Sequence, residues 1–221
     1  MEYRIINYIS IFLALLVVIP AHEFAHALTA VKFGDYTPKM NGRLTLNPLA
    51  HFDPVGLIAF VLVGFGWAKP TPINPYNFKR YKSGCFWVSV AGVITNYVMS
   101  FLVYPLAILS FMYVPEFGYF GVVLKYTLYY IFRLGLVFFV FNLLPIYPLD
   151  GFRVVDVFNK KNGAIYRFLR NYGIYVLYAL CLLGLVADFI NIPELDILGM
   201  FINIAVDFIS KPITLFWGLF F

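Results

Sequence analysis

The feature that most constrains this sequence is an apolar run from Ile5 to Phe33 that contains two histidines and a glutamate. Between Tyr8 and Ala21 the run has no charged side chain. It is longer than the roughly 20 residues that a helix needs to cross a bilayer. The run therefore predicts a membrane helix with ionisable side chains at membrane depth, where such groups are costly and usually functional.

The ionisable residues form the sequence Ala21-His22-Glu23-Phe24-Ala25-His26. Histidines four apart lie on one face of a helix, so both imidazoles can bind one ion while Glu23 lies beside it. Two nitrogen ligands, a general base and an open position for water are the arrangement of a zinc hydrolase. The alternative is a helix whose histidines are satisfied by hydrogen bonds and bind no metal.

The composition agrees with a membrane protein. Of the 221 residues, 62% are hydrophobic and 12% are charged, with a mean hydropathy of +0.83, whereas soluble domains carry about 25% charged residues. We expect an all-α polytopic membrane protein with a single domain, 1–221. The first apolar run should be retained, because a cleaved signal peptide would remove the metal motif. Cys85 and Cys181 have neither metal-ligand nor disulfide spacing and are expected to be reduced thiols.

Six apolar stretches can be marked, at about 5–33, 54–66, 84–114, 119–146, 171–190 and 197–221. The second is too short to span. Basic residues follow the first, second and fourth stretches: Lys32, Lys39 and Arg43, then Lys69, Lys79, Arg80 and Lys82, then Arg153, Lys160, Lys161, Arg167 and Arg170. Since basic connections stay in the cytoplasm, 54–66 should enter and leave on that side as a re-entrant or half-inserted element. This gives about five to six transmembrane helices and an outside amino terminus.

The last stretch leaves two possibilities open. Residues 197–221 either return the carboxyl terminus to the cytoplasmic side or lie along the interface, since we expect Pro212 to interrupt the helix.

A catalytic zinc site needs a third protein ligand, and its best source is the segment 142–151. Pro145 and Pro148 should break the fourth long helix near its cytoplasmic end, and Gly151 permits a tight turn. We therefore expect Asp150 to lie on a short loop at the depth of the two histidines. The alternative is that Asp150 is a turn or helix-cap residue.

These residues resemble the site-two protease family of intramembrane zinc metalloproteases. His22-Glu23-Phe24-Ala25-His26 matches its helix motif, and 142–151 matches its Asn-x-x-Pro-x-x-x-Leu-Asp-Gly motif. Residues 42–56 and 66–70 resemble a compact subgroup without a PDZ domain. Ala91-Gly92-x-x-x-Asn96 resembles the third-helix motif, with Val93 where a proline is common.

The resemblance implies an intramembrane zinc metalloendopeptidase that hydrolyses bonds in or near transmembrane segments, in regulated intramembrane proteolysis. One Zn²⁺ per chain would be held by His22, His26 and Asp150, with Glu23 as the base. The partners would be a transmembrane protein substrate and the lipid bilayer, with no nucleic acid. The expected location is the cell membrane, with the active site toward the cytoplasm. A membrane metal-binding or ion-transport protein without proteolytic activity is the alternative.

The resemblance also implies supporting roles for Asn96 and Asn142. Each is an amide in an apolar helix and should find a partner inside the bundle, so helix–helix contact and a role toward substrate both remain open. His51, the third histidine, is expected to cap or hydrogen-bond a loop; an autoregulatory or proton-transfer role is the alternative.

The proline-rich segment 67–75 cannot be helical. In an extended strand, Pro70 and Pro72 leave one edge without donors, while Lys69, Thr71 and Ile73 keep theirs on the other. We hypothesise that this edge, through Thr71 and Ile73, pairs with an extended substrate by strand addition. The alternative is a rigid surface loop.

Overall fold

The computed structural model describes residues 2–63, 66–115 and 118–221. Within them the chain forms eight α-helices and no strand, with one isolated antiparallel bridge between Phe52 and Ala68. The helices are α1 Glu2–Phe33, α2 Thr37–Met40, α3 Pro54–Val63, α4 Tyr81–Tyr113, α5 Gly118–Leu143, α6 Asp150–Phe158, α7 Ala164–Ile190 and α8 Ile197–Trp217.

Five of these helices, α1, α4, α5, α7 and α8, are long and apolar enough to cross a membrane. This confirms the prediction of an all-α polytopic membrane protein. Helix α3 has 10 residues, too few for the roughly 30 Å hydrocarbon core. Its re-entrant insertion stays a prediction, and the predicted element runs on through 64–65, outside the described residues.

The helix contacts divide the chain into two compact units, Met1–Gly135 and Leu136–Phe221. The single domain stays a prediction. In the first unit α1 packs along α4, and the buried face of α1 carries the small residues Ala14, Ala27 and Ala30. Large apolar side chains such as Val17 and Leu102 are exposed instead. This is the distribution expected in lipid, where small residues let helices approach and bulky apolar ones face acyl chains.

Polar contacts join the helices inside the first unit. The Ser10 hydroxyl of α1 donates to the Val123 carbonyl of α5 at 3.3 Å, and the Ser100 hydroxyl of α4 donates to the Phe132 carbonyl of α5 at 3.1 Å. Gly135 allows the second contact, because a Cβ there would lie 2.2 Å from the Ser100 Oγ.

Prolines lie inside α1, α4 and α8 without ending them. The expectation that Pro212 interrupts its helix was wrong, since α8 continues to Trp217. A proline removes one N–H donor and leaves one carbonyl without its helical partner, a loss that apolar helices tolerate when their other bonds remain. Whether α8 spans or lies at the interface stays a prediction.

In the second unit, α5 ends at Leu143 and α6 begins at Asp150, which confirms the predicted break around Pro145 and Pro148. The expectation that Asp150 lies on a loop was wrong: it is the first residue of α6, with Leu149 as its N-cap. Gly151 serves a close approach, because a Cβ there would lie 2.2 Å from the Leu143 carbonyl oxygen. Helix α6 can start directly against the end of α5 only because this residue has no side chain.

Candidate metal centre

His22 and His26 form a buried pair on the face of α1 that packs against α4. Their side chains are 6% and 3% exposed, and their rings meet edge to face with centroids 4.6 Å apart. The two Nε2 atoms face each other at 2.9 Å. Lone pairs at that separation repel each other unless a proton or a cation lies with them, so this is a place where a cation is favoured.

The tautomer of His26 is fixed by its neighbour on α4. Its Nδ1 lies 2.6 Å from the Val88 carbonyl oxygen, which can only accept a hydrogen bond. The Nδ1 therefore carries the proton and the Nε2 carries the lone pair. A backbone carbonyl that holds the Nδ1 proton is the usual support of a metal-binding imidazole.

His22 is supported by Asn96. The Asn96 Nδ2 lies 3.0 Å from His22 Nδ1, and Asn96 is fully buried. Its Oδ1 has no hydrogen-bond partner among the described residues. Rotating this amide by half a turn would bring Oδ1 to Nδ1 and give a protonated Nδ1 its acceptor. In that arrangement His22 also presents an Nε2 lone pair.

Gly92 makes the space for both rings. A Cβ at this position would lie 2.4 Å from His26 Nε2 and 2.5 Å from His22 Cε1, well inside van der Waals contact. The sequence showed a glycine one turn before Asn96, a signal for close packing, but it did not show that imidazoles fill the space. The pocket offers two imidazole Nε2 atoms as ligands, one ring held by Asn96 and the other by the Val88 carbonyl. This arrangement fits zinc, which prefers nitrogen and sulfur ligands.

Glu23 is held by the segment Lys69–Asn74, which we call the strap. The Thr71 backbone N–H donates to Glu23 Oε2 at 2.8 Å, and the Thr71 hydroxyl donates to the Glu23 backbone carbonyl at 3.3 Å. The candidate base is therefore bound by a second segment of the first unit. The sequence could not show this contact, since it joins residues 48 positions apart.

The strap's donor edge is largely used within the chain, which corrects the strand-addition hypothesis in part. The Lys69 N–H donates to the His51 carbonyl at 2.8 Å, and the Thr71 N–H is held by Glu23. Of the three predicted donors, only the Ile73 N–H has no acceptor among the residues that the structure describes. The Thr71 N–H is thus already bonded within the chain and is not free to pair with a substrate in this structure. Pairing at Ile73 stays a prediction.

Asp35, which the sequence did not single out, anchors the far end of the strap. This fully buried carboxylate accepts from the Asn74 N–H at 2.7 Å, from the Asn77 amide at 2.8 Å, and from the N–H and hydroxyl of Thr37. Burial alone would raise the pKa of Asp35, but these four bonds favour the charged form and hold the pKa below its ordinary value of 3.8.

His51 lies in a loop and is fully buried. Its Nε2 is 2.8 Å from the Thr45 carbonyl oxygen, an acceptor, so Nε2 carries the proton. This contact favours the loop-stabilising interpretation. The neighbouring Arg43, also buried, donates to the carbonyls of Ala50 and Lys69 and ties the same loop to the start of the strap.

Asn142 and Asp150 belong to the second unit. The Asn142 amide donates to the Phe138 carbonyl of its own helix at 3.0 Å, so its polar group is satisfied locally. Asp150 is 6% exposed and its Oδ1 lies 3.6 Å from the Arg153 Nη1. Its role as a metal ligand, and the supporting role of Asn142, stay predictions.

No family model and no solved structure matches this chain. It is 43% identical over 145 residues to the protein named "Putative zinc metalloprotease YwhC" of Bacillus subtilis, covering 65% of this chain and 66% of that protein. It is 30% identical over 164 residues to the protein named "Putative zinc metalloprotease Rip2" of Mycolicibacterium smegmatis, covering 69% and 60%. The protein of the same name from Mycobacterium tuberculosis is 30% identical over 139 residues, covering 61% and 51%.

The chain thus spans less than two thirds of the length of each of these relatives. All three relatives carry zinc metalloprotease in their names, and the buried imidazole pair of this chain offers nitrogen atoms of the kind that zinc prefers as ligands.

Proposed function

We propose that this chain is an intramembrane zinc metalloendopeptidase of the site-two protease type, which hydrolyses peptide bonds in or near transmembrane segments of other membrane proteins. The observation that carries the proposal is the imidazole pair of α1. Two buried Nε2 atoms face each other at 2.9 Å, over a glycine that makes room for both rings, on a helix long enough to span a bilayer.

In this proposal His22, His26 and Asp150 hold the metal. A catalytic zinc site needs a third protein ligand besides the two histidines. Asp150 is our choice because it is a buried carboxylate in the second motif, 142–151. A bound zinc ion would supply Lewis-acid polarisation of the scissile carbonyl and would lower the pKa of water toward 7.

Glu23 performs the proton transfers. Its carboxylate takes a proton from the attacking water and then delivers it to the nitrogen of the leaving amine. The hydrogen bond from Thr71 holds one carboxylate oxygen and leaves the other for the proton. The peptide bond must be extended to be reached, because a helical one is shielded by its own hydrogen bonds.

The proposed setting is the cell membrane, with the site open toward the cytoplasm. Its support is the placement of basic residues, which follow the first, second and fourth apolar stretches. The proposed substrate is a membrane protein, and the proposed process is regulated intramembrane proteolysis.

The test compares wild type, Glu23→Gln and Asp150→Asn in lipid, by zinc content and by cleavage of a transmembrane peptide. We expect about one zinc per wild-type chain, as the three-ligand site implies. Glu23→Gln should keep the zinc and lose turnover by roughly 10²-fold or more. Asp150→Asn should lose both.

Each contrary result has its own meaning. Zinc bound by a wild type that cleaves nothing would favour the metal-binding or ion-transport alternative. Turnover retained by Glu23→Gln would exclude Glu23 as the base, and full zinc content in Asp150→Asn would exclude that residue as a ligand.

A further inference from the structure

We infer that the Thr71 peptide N–H is a positioning group for the catalytic base: it fixes the Glu23 carboxylate so that one oxygen is always presented for proton transfer. The inference rests on the proposed function and extends it, because neither the motif residues nor the relatives' names assign a role to the strap. The contact that carries it is the 2.8 Å bond from the Thr71 N–H to Glu23 Oε2.

A glutamate side chain has several rotatable bonds, and an unrestrained one occupies many rotamers. A general base must instead lie within hydrogen-bond reach of the proton that it takes. Since Glu23 is only half-buried, packing alone does not fix it. The Thr71 N–H supplies the restraint, and the Thr71 hydroxyl holds the backbone of the same glutamate.

The N–H can position Glu23 because the strap itself is anchored on both sides. On one side the Lys69 N–H is bound to the His51 carbonyl. On the other, Asp35 accepts from the Asn74 N–H at 2.7 Å. Between them Ile73 packs against the buried cluster around Ala30 and Val88 in α1 and α4.

The residues around Thr71 restrict the backbone further. Pro70 and Pro72 flank it, so φ is fixed on both sides and Thr71, as a residue before proline, is held in extended conformations. Proline also has no N–H, so the Thr71 N–H is the sole backbone donor of the three-residue stretch 70–72. The Thr71 N–H therefore has no neighbouring backbone donor to replace it, and its position is rigid.

The test removes this one hydrogen. Thr71 is replaced in the full-length protein by its α-hydroxy acid, which turns the amide into an ester and keeps the side chain. We expect unchanged zinc content, an unchanged KM and a kcat lower by about 10- to 100-fold, the size of effect that misplaced catalytic groups produce. A role in folding alone would not separate kcat from KM in this way.

The matched control is the same ester at Gly199, whose N–H donates to Asp196 Oδ1 at 2.9 Å in the second unit. This control loses the same kind of bond and should keep the wild-type kcat. An ester at Ile73 forms a third arm: a raised KM there would support strand addition at that residue and would leave the role of Thr71 intact.

A second measurement does not depend on activity. The infrared carboxylate band of Glu23, isolated as the difference between wild type and Glu23→Gln, should shift when the Thr71 amide becomes an ester. If the ester protein does not fold, the amide resonance of ¹⁵N-labelled Thr71 is compared between wild type and Glu23→Gln, and a shift is expected because the N–H loses its charged acceptor.

A Thr71 ester with a kcat within about twofold of wild type would overturn the inference, since misplacement should cost far more. So would a Glu23 band that does not move in the ester protein, or a Thr71 amide resonance that does not move in Glu23→Gln. A wild type that binds zinc and cleaves no peptide overturns the proposed function and the positioning role with it. If the wild type cleaves the peptide and the Thr71 ester has the same kcat, the positioning role alone is overturned.

Discussion

At the scale of single residues, the candidate site depends on Gly92 as much as on His22 and His26. The two imidazoles occupy the volume where any other residue would place its Cβ. Because Gly92 lies in the middle of the rigid helix α4, its backbone cannot move aside cheaply. A metal-binding helix and its partner can approach this closely only with glycine at the contact.

We therefore predict that Gly92→Ala lowers zinc affinity by about 10- to 100-fold, the range found when supports of metal ligands are changed. The added methyl would displace one or both rings. Competition with a chromophoric chelator measures the affinity. Gly163→Ala is the matched control, because a Cβ there meets nothing within 4 Å. Wild-type affinity in Gly92→Ala would contradict this account of the pocket.

At the scale of elements, the strap is held in place by a single buried carboxylate at its far end. Its geometry depends on Asp35, whose pKa lies below the ordinary 3.8 because four hydrogen bonds outweigh the effect of burial. A carboxyl group with a lowered folded pKa stabilises the structure above its unfolded pKa. That contribution is lost as the pH falls through the lowered folded value.

We predict that Asp35→Asn loosens the strap at neutral pH, because an amide nitrogen would face donors that now bind a carboxylate oxygen. Hydrogen bonds to charged groups contribute about 1.5–3 kcal/mol each. Protection factors from hydrogen exchange should fall in 69–77, and wild type should lose the same protection only below pH 3.8. Asp196→Asn, the same exchange at the N-cap of α8 in the second unit, is the control and should leave protection in 69–77 as in wild type. Equal protection in Asp35→Asn and wild type would contradict the anchor.

The long helices were predictable from the sequence because hydrophobic length is a local property, and so were the break at Pro145 and the face shared by His22 and His26. The contacts of Thr71 and Asp35 were not, since each joins segments that are distant in sequence through two hydrogen bonds. The prediction for Pro212 was wrong because it used the rule that proline breaks helices, which holds for soluble proteins. Apolar membrane helices tolerate interior prolines.

At the scale of the whole molecule, metal binding and folding should be linked. Two imidazoles are buried in the first unit, whose exposed residues include many large apolar side chains. Without a cation between them, the facing Nε2 atoms must repel, share a proton or move apart. Binding a metal to the folded state alone shifts the folding equilibrium by mass action.

We predict that zinc raises the thermal midpoint of the detergent-solubilised protein. The gain is about 2.7 kcal/mol at a free zinc concentration 100 times the dissociation constant. Scanning fluorimetry of chelator-treated protein, before and after zinc is restored, measures the shift and should parallel the return of cleavage. His22→Ala should show no shift. A midpoint independent of zinc in wild type would contradict a site formed by folding.

The three prolines of the segment 70–75 have a consequence for repeated turnover. A flexible loop displaced by an entering polypeptide must search many conformations before it returns, whereas a chain with several of its torsions already fixed by proline has fewer to search. If a substrate displaces the 70–75 segment, the segment should therefore return to its original position without a slow recovery phase. Under the proposed function, Glu23 would then be positioned as the proton acceptor again before the next substrate arrives.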